Sequence, residues 1–172
     1  IATQKLHNGS FNCIASQILV LPEMWEPADD LLAKVKTTIS TVTPREPYYP
    51  GAHDRHESIK QAYQNCEGLD DSDTCELPRL LITDLDNNNV DEYLFNQEVF
   101  VGALGQTSLP GSDPGKYLKN AVQFCNKKLW GTLGANILIH PKTIKQLGSD
   151  FENAIADLRY GSIGVNAWCG LA

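Results

Sequence analysis

The stretch DPGKYLKNAVQFCNKKLWGTLGANILIHPKTIKQLGSDFENAIADLRYGSIGVN, residues 113–166, reads as helix, strand, helix, strand, and that alternation decides the fold. Asp113-Pro114 opens the first helix. An aspartate there can accept a first-turn N–H, and proline fits where the N–H would be unpaired anyway. Leu118, Ala121, Val122, Cys125 and Leu129 follow at helical spacing, and Gly131 lies past the end. Two apolar runs come next, Ala135–Ile139 and Ser162–Asn166. Between them, Thr143–Leu147 predicts a short turn, and Ser149-Asp150-Phe151-Glu152 matches a capping box. Phe151, Ile155 and Leu158 then share a face until Gly161. Strands joined through a helix in this way lie parallel, with a right-handed crossover.

Upstream, Gln17–Leu21, Arg79–Thr83 and Glu98–Leu104 are further apolar runs, continuous rather than alternating. Continuous runs fit strands covered on both faces. Pro27–Val42 places Leu31, Leu32, Val35, Ile39 and Val42 on one helical stripe, ended by Pro44. His56–Tyr63 predicts a shorter helix. The acidic, unperiodic segments Glu67–Glu76 and Asp84–Glu92 predict surface loops. The expected fold class is α/β, a mostly parallel sheet flanked by helices on both faces, in a single domain over residues 1–172.

Composition narrows the function. The chain has 172 residues, 42% of them hydrophobic and 20% charged, which is a folding composition. Its formal charge of -7 argues against a nucleic-acid partner, which calls for clustered cations. No run approaches the roughly 18 apolar residues of a transmembrane helix. The five cysteines are odd in number, which points to free thiols in a reducing, cytoplasmic compartment. Cys66 and Cys75 could close a loop, but spacing alone gives no reason to pair them.

Most motif-like features have an ordinary reading. Asp84-Leu85-Asp86-Asn87-Asn88-Asn89 resembles the start of a calcium loop, yet its sixth position is Asn89 rather than Gly and its twelfth is Phe95 rather than Glu, so it reads as a solvated turn. His53 and His56 lack a third and fourth ligand, so no metal is expected. No phosphate loop, G-x-S-x-G elbow or CxxC occurs. Cys13 differs in setting. It follows the turn Asn8-Gly9-Ser10 and leads through Ala15 and Ser16 into a strand, although a buried, inert cysteine is the commoner outcome for such a residue.

A succession of segments resembles the catalytic domain of the NAD(P)-dependent aldehyde dehydrogenase superfamily. Asn8-Gly9-Ser10-Phe11-Asn12-Cys13-Ile14-Ala15 resembles the nucleophile segment, Leu77-Pro78-Arg79-Leu80-Leu81 the Pro-Thr strand, and Gln97-Glu98-Val99-Phe100 the Glu-x-Phe-Gly-Pro motif. Asn126–Ala135 resembles the Asn-x-x-x-Tyr-Gly-Leu stretch, and Tyr160–Asn166 the Gly-Thr-x-x-Val-Asn strand. Departures are Ser10 and Phe11 in place of Gly and Gln or Glu, Val101-Gly102 in place of Gly-Pro, and Tyr48–His53 where many members carry Gly-Pro. They place the chain on a divergent branch.

The resemblance implies an oxidoreductase that acts on an aldehyde with NAD or NADP as cofactor. Cys13 would be the nucleophile, passing through a thiohemiacetal and a thioester, with its own N–H as one oxyanion donor. Glu98 would accept hydrogen bonds from the nicotinamide ribose, Phe100 would pack beside the ring, and Trp168 would border the substrate pocket. It further implies a homo-oligomer for the full-length protein. The dinucleotide-binding domain, with the general-base Glu and oxyanion Asn, and the C-terminal oligomerisation segment are expected outside these residues, leaving the segment alone inactive. Two alternatives stay open: acyl transfer to coenzyme A or acyl reduction through the same thioester, and a catalytically silent assembly module.

Overall fold

The computed structural model of the chain describes residues 1–64, 66–70 and 75–171. Four strands, β1 (Ile18–Pro22), β2 (Glu67–Gly68), β3 (Leu80–Ile82) and β4 (Ala103–Leu109), form a sheet in the order β1-β4-β3-β2. β4 runs parallel to both β1 and β3, with Ile18 opposite Gly105 and Leu80 opposite Ala103; the short β2 is antiparallel to β3. A second sheet pairs β5 (Gly134–Ile137) with β6 (Ser162–Val165), also in parallel. The α/β class and the mostly parallel pairing agree with the sequence reading.

Among the described residues six helices accompany the strands: α1 (Ala2–Leu6), α2 (Ala28–Ser40), α3 (Ala52–Ala62), α4 (Pro114–Lys128), α5 (Pro141–Leu147) and α6 (Ser149–Asp157). They cover both faces of the four-stranded sheet. On one face Val35 and Ile39 of α2 pack with Leu81 and Leu104, and Ile1, Ala2 and Leu6 close over them. On the other, Ile59 of α3 and Phe124 of α4 pack with Leu80, Ile82, Ala103 and Leu109. α4 is shared: its Val122 faces Ala154, Leu158, Ala135, Ile137 and Ile163, which joins the second sheet to the first. Among the described residues no helix is long and apolar enough to cross a membrane.

Three expectations need correction. The strand expected at Glu98–Leu104 lies at Ala103–Leu109. Val99 and Val101 are buried, but they plug the core from a tight turn in which Val101 N donates to Val99 O at 2.8 Å and Ala103 N to Val101 O at 2.7 Å. The centre of β4 is polar, so it does not stand out as an apolar run. Thr107 Oγ1 donates to Leu85 O at 2.7 Å and Gln106 Oε1 accepts from Asp84 N at 3.0 Å, so both polar side chains are satisfied inside the sheet. Gly105 completes that strand. A Cβ there would sit 2.7 Å from Leu85 Cδ1 and 2.8 Å from Ile18 Cδ1, so any side chain at 105 would have to push these two side-chain tips aside.

The capping box at Ser149 does not form. Thr143–Leu147 belongs to a helix, α5, started by His140, whose Nδ1 accepts from Lys142 N at 3.1 Å. Gly148, at φ +54°, then ends α5, and Ser149 is already helical. The end of α6 at Asp157 comes before Gly161 because Asn126 of α4 caps it from outside: Nδ2 donates to Asp157 O at 2.8 Å and Oδ1 accepts from Arg159 N at 2.9 Å. The third correction concerns α3, which begins at Ala52, ahead of the expected His56, where Gly51 enters the left-handed region at φ +74°. The cap at Asp113 is as expected: its side chain accepts from Lys116 N at 3.0 Å.

Candidate active site: an open cleft around Cys13

The segment between α1 and β1 has an unusual backbone. Asn8, Gly9 and Ser10 take φ values of +53°, +64° and +73° in succession, a left-handed turn of a kind that L-residues avoid by about 1–2 kcal/mol each. Asn tolerates this region and Gly is indifferent to it, but Ser10 must be held. It is buried, and its Oγ donates to Lys5 O at 2.6 Å. Asn8 Nδ2 donates to Phe11 O at 2.9 Å and to Tyr48 Oη at 2.7 Å. Strain retained in this way collects at functional sites.

Beyond the left-handed turn, Asn12 O accepts from Ala15 N at 2.9 Å and Asn12 Oδ1 from Ile14 N at 3.1 Å. Cys13 therefore stands at the exposed tip of a second turn. Among the described residues its N–H has no hydrogen-bond partner. Asn12 Nδ2 lies 2.8 Å from His7 Nδ1, which ties the two ends of the loop.

Cys13 opens onto a cleft of about 730 Å³, lined also by Glu98, Phe100, His7, Arg45 and Tyr49. The three leading sequence candidates, Cys13, Glu98 and Phe100, thus border one space although 85 positions separate the first from the second. The turn before β4 is what brings Glu98 and Phe100 there. Val99 N donates to Gln17 Oε1 at 2.7 Å, which fastens that turn to the start of β1. Arg55 Nε of α3 donates to Phe100 O at 3.0 Å, and its guanidinium lies 5.7 Å from the Phe100 ring centroid. Glu98 is exposed and its carboxylate has no hydrogen-bond partner among the described residues.

Phe11 is buried where a polar residue was the expected motif. Its ring lies 5.8 Å from Tyr49, nearly parallel, 5.2 Å from Tyr48 and 6.2 Å from Phe100. Aromatic packing thus holds the Cys13 loop against the Glu98 turn. Trp168 is not among the residues lining the cleft. It braces the loop, with Nε1 donating to Ile14 O at 3.4 Å and its ring 5.0 Å from that of His7.

His53 and His56 diverge. His53 Nε2 meets Glu76 Oε1 at 2.7 Å, while buried His56 reaches Pro78 O at 2.7 Å and is held below the ordinary histidine pKa by desolvation. All five cysteines are free thiols, Cys66 and Cys75 included. Burial pushes the Cys75 thiol up and that of Cys125 up to about 11.

Sequence reading missed three groups. Lys5, beneath the loop, is fully buried, its Nζ lacks a hydrogen-bond partner among the described residues, and desolvation lowers its pKa to about 7. A single lysine in a mixed segment gives no sign of burial. Arg45 and Tyr49 enter the cleft from the connection between α2 and α3. Nothing local marks them, because Arg45 meets its partner Asn8 across 37 positions.

No family model matches the sequence, and no curated protein matches it. Solved structures do. A lactaldehyde dehydrogenase from Escherichia coli superposes with a TM-score of 0.73 at 13% identity, over 96% of this chain and 35% of its own. A variant of the indole-3-acetaldehyde dehydrogenase AldA from P. syringae, in complex with NAD+ and IAA, gives 0.74 at 16%, over 97% and 34%. Aldehyde dehydrogenase 21 from Physcomitrella patens, in complex with the reaction product succinate, gives 0.73 at 15%, over 99% and 35%. The chain spans about a third of the length of these structures, and over that length it has the fold of aldehyde dehydrogenases.

Proposed function

We propose that this chain is the thiol-bearing portion of an aldehyde-oxidising dehydrogenase, with Cys13 as nucleophile. The observation that carries the reading is the exposed Cys13 at a braced turn, its N–H uncommitted, in one cleft with Glu98 and Phe100. The shared fold supports it.

In this reading the Cys13 thiolate attacks the aldehyde carbon, forming a C–S bond and an oxyanion. The Cys13 N–H donates to that oxyanion, which stabilises charge where it develops. A nicotinamide dinucleotide held beside Glu98 and Phe100 would supply the acceptor for the hydride lost from that carbon. Cys13 then holds the acyl group as a thioester until water releases the acid and the proton returns to sulfur. Glu98 fits the dinucleotide by its unpartnered carboxylate, able to accept two ribose hydroxyls, and Phe100 by a flat ring fixed through Arg55. Several of the superposed structures are NAD complexes, which favours NAD as acceptor.

The test is turnover of an aldehyde by the full-length protein, followed by NADH absorbance. Cys13→Ala is expected to lower turnover by about 1,000-fold or more while dinucleotide affinity stays within about twofold. Unchanged turnover in that variant removes Cys13 from the chemistry.

A further inference from the structure

Arg45 lines the cleft and is exposed there. Its aliphatic stem runs along the left-handed turn, with Cβ and Cδ each 3.4 Å from where a Cβ on Gly9 would lie. Nη1 donates to Asn8 Oδ1 at 2.9 Å, and the guanidinium lies 5.1 Å from the Tyr48 ring centroid. Tyr48 Oη in turn accepts from Asn8 Nδ2, so loop, ring and guanidinium lock one another. Arginine has five N–H donors, and a single one is used here among the described residues. No carboxylate among those residues pairs with it. Arg45 thus brings to the cleft that Cys13 lines a guanidinium anchored through Asn8 and without a carboxylate partner among the described residues.

An arginine held this way loses little entropy on meeting a planar acceptor, and its remaining fork matches two oxygens at once. Glu98, also lining the cleft, repels an anion and so confines it to the Arg45 side. We propose that Arg45 receives an anionic oxygen group, carboxylate or phosphate, of the ligand that occupies the cleft beside Cys13. The inference rests on the reading of Cys13 as the reactive thiol. Two sources share this chemistry: an aldehyde with a carboxylate or phosphate at its far end, and the phosphates of the dinucleotide.

Alkylation of the full-length protein, read by mass spectrometry of the Cys13 peptide, separates these questions. Iodoacetamide reports the thiol alone. Iodoacetate and longer ω-(iodoacetamido) carboxylates, each compared with its neutral amide and normalised to glutathione, report the anion site. The unaltered protein should favour the acid by about tenfold at the reagent length that reaches Arg45. Arg45→Gln should abolish that preference when each acid is compared with its neutral amide on the same variant, so that any change in the iodoacetamide rate itself cancels; Arg45→Lys should restore part of it.

Calorimetric titration with NAD+ supplies the second arm. Loss of the acid preference with unchanged NAD+ affinity assigns the anion to the substrate; a roughly tenfold loss of affinity with an unchanged preference assigns it to the dinucleotide. If Arg45→Gln alters neither, the proposal is overturned. If iodoacetamide labels Cys13 no faster than Cys66, the nucleophile reading fails instead, and the NAD+ titration decides the role of Arg45 alone.

Discussion

Cys13 and Cys125 are the same functional group placed in opposite surroundings. Cys13 is exposed on a strained polar loop whose shape is set by side-chain hydrogen bonds from Asn8, Ser10 and Asn12. Cys125 lies on α4, where apolar clusters meet on both sides of the helix. Its neighbourhood is ordinary helix and apolar contact, and nothing there rewards a thiolate. Regular structure stabilises by burial, while the loop gives up backbone comfort to present one sulfur and one free N–H to a cleft.

The widest gap between the regions should be in thiol chemistry. With a pKa pushed up to about 11 by burial, Cys125 is about one part in a thousand thiolate at pH 8. Iodoacetamide at that pH should label Cys13 several hundred-fold faster, as counted by peptide mass spectrometry. Comparable rates at the two cysteines would show that α4 opens readily and that the contrast is not built into the fold.

Much of the Cys125 region was legible in the sequence because its causes are local. Asp113-Pro114 and the stripe from Leu118 to Leu129 specify α4 within a residue of its observed end at Lys128. The Cys13 region was legible only in part. The turn-forming Asn8-Gly9-Ser10 could be seen, and the ordered resemblance named Cys13, Glu98 and Phe100. Their common cleft could not be seen, because it depends on the Gln17–Val99 hydrogen bond, 82 positions apart, and the Arg55–Phe100 bond, 45 apart. β4 was displaced in the reading for a related reason. Gln106 and Thr107 look exposed until the carbonyl of Leu85 and the N–H of Asp84 arrive to satisfy them.

The undersides of the two regions differ as well. α4 rests on apolar side chains, whereas α1 beneath the loop buries the Lys5 amine without a partner among the described residues. Its pKa of about 7, against an ordinary 10.5, means that the unfolded chain binds more protons than the folded one between those values. Stability should therefore rise as pH rises from about 7 towards 10, and be lowest below 7, where the buried amine is charged. Lys5→Met should raise stability at neutral pH by on the order of 3 kcal/mol and remove that slope. Urea titrations at pH 6, 8 and 10 check both. A variant less stable than the parent, or an unchanged slope, would mean that Lys5 is compensated in the folded chain.

The smallest effect concerns what holds the loop in its left-handed path. Gly9, at φ +64°, has Arg45 Cβ and Cδ each 3.4 Å from a hypothetical Cβ, so room exists with slight adjustment, and the cost of a side chain is chiefly conformational. Gly9→Ala should destabilise by about 1 kcal/mol, and Gly9→Asn by about half of that, since Asn enters this region more readily than Ala. The order of the two variants matters more than either value. Crowding against Arg45 would penalise the larger Asn more than Ala, whereas backbone strain penalises Ala more. Thermal unfolding of both variants, read alongside Cys13 labelling, shows which cause operates. If Asn proves the worse replacement, the turn is set by the Arg45 stem packed against it, and the left-handed backbone follows from that contact.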